Sequence, residues 1–161
     1  MVKAAEISYG SDPSGLICGY AFGADHGVRP IDSDTALDWL QGAHDPASRE
    51  FVWLHFSLGN SSTEKWLQDH LPMPEHYFET LREGPGSTRI EQADDCLIAV
   101  INDVLFDFSF EPSQIATLWM CVHRRFVVSA RLHPLRSIDR LRVSVKAGEP
   151  FASPASLLTH L

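Results

Sequence analysis

A chain of 161 residues with 44% hydrophobic and 21% charged side chains has the composition of one folded domain, which excludes a disordered or fibrous polymer. Thirteen basic against twenty-one acidic residues leave a net charge of −8, which disfavours nucleic acid as a partner and favours cations. Three cysteines with no C-x-x-C spacing argue against a disulfide framework and for a reducing compartment.

The opening MVKAAEISYGSDPSG lacks the apolar middle of a secretory signal, so a cytoplasmic polypeptide with a flexible segment over residues 1–14 is expected. LICGYAF (16–22) and VRPI (28–31) flank the turn-rich GADHG and read as a hairpin whose second strand is kept at a sheet edge by Pro30. Ser33 or Asp34 can cap a helix over TALDWLQ, with Leu37 and Leu40 on one face and Gly42 as its stop. FVWLHFSL (51–58) is a strand whose two faces are both apolar enough to be covered, as in a layered α/β domain.

Ser61 and Glu64 have the capping-box spacing ahead of Trp66 and Leu67. Pro72 and Pro74 then break that helix and start another, PEHYFETLREG, with Tyr77, Phe78 and Leu81 at helical spacing and Gly84 as its end. TRIEQA and CLIAVIN form a hairpin around Asp94 and Asp95, and IATLWMCV and FVVSARL form a second around HRR at 123–125. The longest nearly apolar run, CLIAVINDVLFDFSF (96–110), is interrupted by Asn102, Asp103 and Asp107, short of the roughly 18 to 20 apolar residues a spanning helix needs.

PLRSIDRLRVSVKAG places Leu135, Ile138, Leu141 and Val145 on one helical stripe with arginines outside, ending at Gly148. Ser153 and Pro154 then open a last helix with Leu157, Leu158 and Leu161 and no stop signal, so the pattern reads as cut off.

Charge is unevenly placed. Residues 1–122 hold six basic and nineteen acidic side chains, whereas 123–161 hold seven basic and two acidic. The two regions are expected to attract each other, the basic one packing beside the acidic one within a single fold or the pair presenting an oriented electrostatic surface. The densest set of metal-ligand types is DHLPMPEHYFE, where Asp69, His70, Glu75, His76 and Glu79 surround a helix break. Of these, His70, Glu75, His76 and Glu79 are the candidate metal ligands, set against the plainer reading of a solvated acidic helix surface. Cys121 and His123 share a strand face but are expected to be core packing and a turn-end histidine; His55 is expected to be hydrogen-bonded and partly buried. No H-E-x-x-H, G-x-S-x-G, P-loop or G-x-G-x-x-G occurs, so an enzyme is not expected.

Several of these pieces, in this order, resemble the cytoplasmic N-terminal domain of the CorA-type divalent-cation transporters, and more closely the zinc-transporting ZntB branch. They are GLICGYAF, the W-x-H strand FVWLHFSL, WLQDHLPMPEHYFETL, TRIEQADDCLIAVIND and RRFVVSARLHPLRSIDRLRVSVKAGEPFASPASLLTHL. The resemblance implies a three-layer α/β domain over 15–152 with a mixed, largely antiparallel sheet flanked by helices, and a stalk helix beginning at 153–161. It also implies two membrane helices that this chain lacks, assembly as a homopentamer, and a place on the cytoplasmic side of the inner membrane. Divalent cations, zinc first and magnesium second, are then the transported or regulatory ions, with no organic cofactor and no nucleic-acid partner. The alternatives are a stand-alone metal-sensing or interaction module and, further off, a metal-dependent hydrolase.

Overall fold

The computed structural model describes residues 11–25, 27–45, 47–104 and 115–161. Within the expected N-terminal segment, residues 11–14 form a turn held by the Asp12 carboxylate, which accepts from Ser14 N at 2.9 Å, Leu16 N at 3.0 Å and Ser33 Oγ at 2.9 Å.

Among the described residues seven strands build one sheet: β1 (Leu16–Phe22), β2 (Val28–Pro30), β3 (Phe51–Ser57), β4 (Arg89–Ala93), β5 (Cys96–Val104), β6 (Ile115–Val122) and β7 (Phe126–Arg131). Their spatial order is β2-β1-β3-β7-β6-β5-β4, and among the described strands only β3 and β7 pair in parallel. β2 is therefore an edge strand, as Pro30 requires, and the β1–β2, β4–β5 and β6–β7 hairpins fall where the sequence predicts them.

The described helices that cover the sheet are α1 (Ser33–Gln41), α2 (Thr63–His70), α3 (Glu75–Glu83), α4 (Arg136–Lys146) and α5 (Pro154–Thr159). Two apolar clusters show which helix covers which face. Val52, Leu54, Phe56, Ile98, Trp119 and Val128 pack with Ala36, Leu67, Tyr77 and Phe78 of α1, α2 and α3. Phe51, Trp53, Ala99, Leu118, Met120 and Val127 pack with Leu135, Ile138, Leu141 and Val145 at α4 and with Leu157 of α5. The result is the expected mixed sheet between two helical layers, with β3 buried on both faces.

Two caps differ from expectation. Asp32, one residue before Ser33, caps α1 by accepting Thr35 N at 2.8 Å, because Ile31 is already committed to the core. Ser62, not Ser61, stands at the start of α2 with no side-chain cap bond, and its own N–H is taken by Asn60 Oδ1 at 2.9 Å. Glycine is required at two turns. A Cβ on Gly15 would lie 1.8 Å from Thr63 Oγ1, and Gly84 closes α3 at φ +78°.

The acidic and basic parts of the chain share one fold, yet α4 and the acidic helices α1, α2 and α3 lie on opposite faces of the sheet.

Candidate functional site

The break between α2 and α3 carries the predicted metal-ligand residues. Leu67 and Leu71 anchor the end of α2, Tyr77 and Phe78 anchor α3, and the polar residues between them are left at the surface.

The structure separates most of those candidates. Asp69 binds Lys65 one turn earlier at 2.8 Å, which holds its carboxyl below the usual carboxylate range. His70 packs at a tilt against Trp66, ring centroids 5.0 Å apart, and lines a groove of about 130 Å³ with Pro72, His123 and Arg125. Glu75 pairs with Arg82 at 3.2 Å, and the same guanidinium reaches back to Glu64 at 3.0 Å.

Only His76 and Glu79 are brought together, at 3.6 Å through Nδ1. The other ring nitrogen of His76 lies 2.5 Å from Glu91 on β4, a partner that the sequence does not single out because it is 15 residues away. Arg89 continues the chain of charge, reaching Glu91 at 3.4 Å and Glu83 at 3.7 Å.

The hydrogen bond to Glu91, opposed by burial and reinforced by the charges of Glu91 and Glu79, raises the His76 pKa, and the same bond lowers that of Glu91. With both nitrogens facing carboxylates, His76 is suited to carry a proton as an imidazolium. Among the described residues no three His, Cys, Asp or Glu side chains converge as a metal shell. The arrangement can concentrate cations and exchange a proton against them; it is not a closed coordination site.

The remaining singled-out residues have structural partners. Cys121 is buried among apolar side chains and its thiol is pushed up by that burial. His123 stacks on Phe126, accepts Arg125 N at Nδ1 (3.2 Å) and meets Asp95 at 3.0 Å through Nε2, so the pair divides as predicted into core thiol and turn-end histidine. His55 is 1% exposed, more deeply buried than its sequence suggests, with Nδ1 at 2.7 Å from Ser129 Oγ.

The model of the family described as CorA-like Mg2+ transporter protein matches residues 48–161. The chain belongs to this family. Divalent cation transporter CmaX of Pseudomonas aeruginosa is 27% identical to this CorA-family chain over 153 residues, covering 93% of the chain and 44% of CmaX. The structure of full-length CmaX matches with a TM-score of 0.78 at 24% identity, over 93% of this chain and 45% of that one. The cytoplasmic domain of ZntB from Vibrio parahaemolyticus matches with a TM-score of 0.69 at 16% identity, over 91% of this chain and 56% of that one. The soluble domain of CorA from Methanocaldococcus jannaschii matches with a TM-score of 0.50 at 14% identity, over 80% and 46%. The chain thus spans under half the length of CmaX and has the fold of the ZntB cytoplasmic domain, as the sequence resemblance implies. Among the described residues no helix is long and apolar enough to cross a membrane.

Proposed function

We propose that this chain is the cytoplasmic domain of a homo-oligomeric divalent-cation transporter, a pentamer by the resemblance, with zinc as the first cargo and magnesium as the second. Family membership supports the reading, and the observation that carries it is the acidic helical layer. Asp34 and Asp38 of α1, Glu64 and Asp69 of α2, and Glu75, Glu79 and Glu83 of α3 lie on that layer, against only Lys65 and Arg82 among its helical bases. Such a surface raises the local concentration of divalent cations without binding any one of them tightly. On this reading the conducting path lies outside this segment, which matches 44% of CmaX. His76, between Glu79 and Glu91, is where a cation would compete with a proton.

The test uses the full-length protein reconstituted in vesicles. Uptake of Zn2+ or Mg2+ above empty vesicles is expected, and the ion taken up identifies the cargo. Absence of uptake for either ion would overturn the transporter reading in favour of a stand-alone sensing or interaction module.

A further inference from the structure

Ion pairing is lopsided in this molecule. On the acidic side, Lys65 holds Asp69, Arg82 holds Glu64 and Glu75, and Arg89 holds Glu83 and Glu91. Among the described residues, none of the α4 bases, Arg136, Arg140, Arg142 and Lys146, has a carboxylate within ion-pair distance. Arg136, Arg140 and Val143 follow one another at i, i+4 and i+7, with Lys146 one turn further on, and all four are exposed, Val143 at 68%. This stripe runs opposite the one that α4 buries through Ile138, Leu141 and Val145. Asp139 is the one acidic residue of α4.

The outward side of this helix is basic with an apolar centre, the pattern of a helix that lies against an anionic bilayer. We propose that the stripe of Arg136, Arg140, Val143 and Lys146 docks on the surface of a bilayer rich in anionic lipid, with the bases among the headgroups and Val143 pressed against that layer.

The net charge of −8 does not oppose this contact, because a charged surface is felt only over a screening length of ~8 Å at physiological salt. The acidic helices lie behind the sheet, two layer spacings of about 10 Å from α4. What meets the bilayer is the local excess of base, and each Lys or Arg near an anionic surface adds to the attraction. Shape selects the same occupant. The stripe is the outer side of one helix, which a flat surface can follow for roughly 15 Å from Arg136 to Lys146, whereas a bound peptide needs a groove with pockets for its side chains. Docking in this way turns α1, α2 and α3 away from the bilayer. The proposal rests on the transporter reading only in that the reading brings the domain to a membrane; the surface itself comes from the charges and the fold.

Co-sedimentation of the 161-residue chain with vesicles tests it. Binding to vesicles of phosphatidylglycerol and phosphatidylcholine is expected at about 50 mM salt, at least ~10-fold weaker at about 500 mM, and absent with phosphatidylcholine alone. R136E/R140E should bind at least ~10-fold more weakly with unchanged circular dichroism, and R136K/R140K, which keeps the charge, should bind like the parent. D34K/D38K reverses two exposed acids on the far face and raises the net charge by as much as R136E/R140E lowers it, so binding that depends on the α4 face should be the same as the parent's. A parent that does not bind, an R136E/R140E variant that binds like the parent, or binding that strengthens in D34K/D38K would overturn the proposal. Equal affinity for a DNA duplex would overturn it in favour of a general polyanion surface. Ion uptake by the full-length protein is a separate readout, so failure of the docking and failure of the transporter reading remain distinguishable.

Discussion

Ser129 lies beneath α4 with two neighbours on its hydroxyl: it accepts the Trp53 indole N–H at 2.9 Å and sits 2.7 Å from His55 Nδ1, while His55 Nε2 has no partner among the described residues. Burial, and then the positive charge of Arg131 and Arg142, push the His55 imidazole down to about 3. A histidine depressed in the folded state binds its proton more readily when unfolded, so it lowers stability as pH falls below the unfolded value near 6.5 and does so until about 3. Denaturant titrations across that window should show a slope of about 1.4 kcal/mol per pH unit from this residue, absent in His55→Asn whatever that variant's stability at pH 8. An identical pH slope in the two proteins would show that His55 is not held neutral. The alternation in FVWLHFSL places His55 opposite the face of Leu54 and Phe56, so a hydrogen-bonded histidine is legible there. Ser129 is not, because only the pairing of β3 with β7 makes them neighbours. His76 has the same history: its helix is readable, but its strongest partner, Glu91, belongs to a strand whose approach depends on tertiary packing.

At the scale of elements, α5 is the sharpest case. Ser153 caps it by accepting Ser156 N at 3.3 Å, and Ser156 Oγ returns a bond to the Ser153 carbonyl. Pro154 fills the first helical position. Six residues are too few for a helix to stand alone in water, so the element depends on docking. Leu157 supplies it, fully buried beside Phe151 under the α4 side of the sheet, while Leu158 and Leu161 are half-buried. Thermal melts should show Leu157→Ala costing ~2–5 kcal/mol, Ser153→Ala ~1 kcal/mol, and Leu158→Ala less than Leu157→Ala. Equal losses at the two leucines would mean that α5 packs differently from the structure. Cap chemistry makes the start of α5 readable to the residue, as periodicity does for the Leu135, Ile138, Leu141 and Val145 stripe. The starts of α1 and α2 shift by one residue because they are set by where Ile31 and Thr63 enter the core, which a local pattern does not encode.

Across the whole molecule, the uneven charge of the sequence becomes a polarity between two helical layers. The imbalance is legible in the chain; its placement across the sheet is not, since it follows from strand order. Under the proposed function, the predicted metal residues are distinguished by a zinc titration. On that proposal, zinc at His76 would compete with the proton that the neighbouring Glu91 and Glu79 favour. Thermal melts with zinc should therefore show a larger rise at pH 8 than at pH 6, worth ~2.7 kcal/mol when zinc is about 100 times its Kd. The rise should vanish in His76→Ala and persist in His70→Ala; its survival in His76→Ala would place zinc elsewhere. The parallel seam between β3 and β7 bears on how such a molecule assembles. It joins residues 74 apart, such as His55 and Ser129, whereas β2-β1-β3 and β7-β6-β5-β4 are each runs of antiparallel neighbours. Closing a loop costs entropy that grows with its length, and non-local pairings are reached late. The domain is thus expected to be two sheets in time before it is one in space, with each half forming from its own hairpins and the burial of Trp53 and His55 waiting until the halves meet.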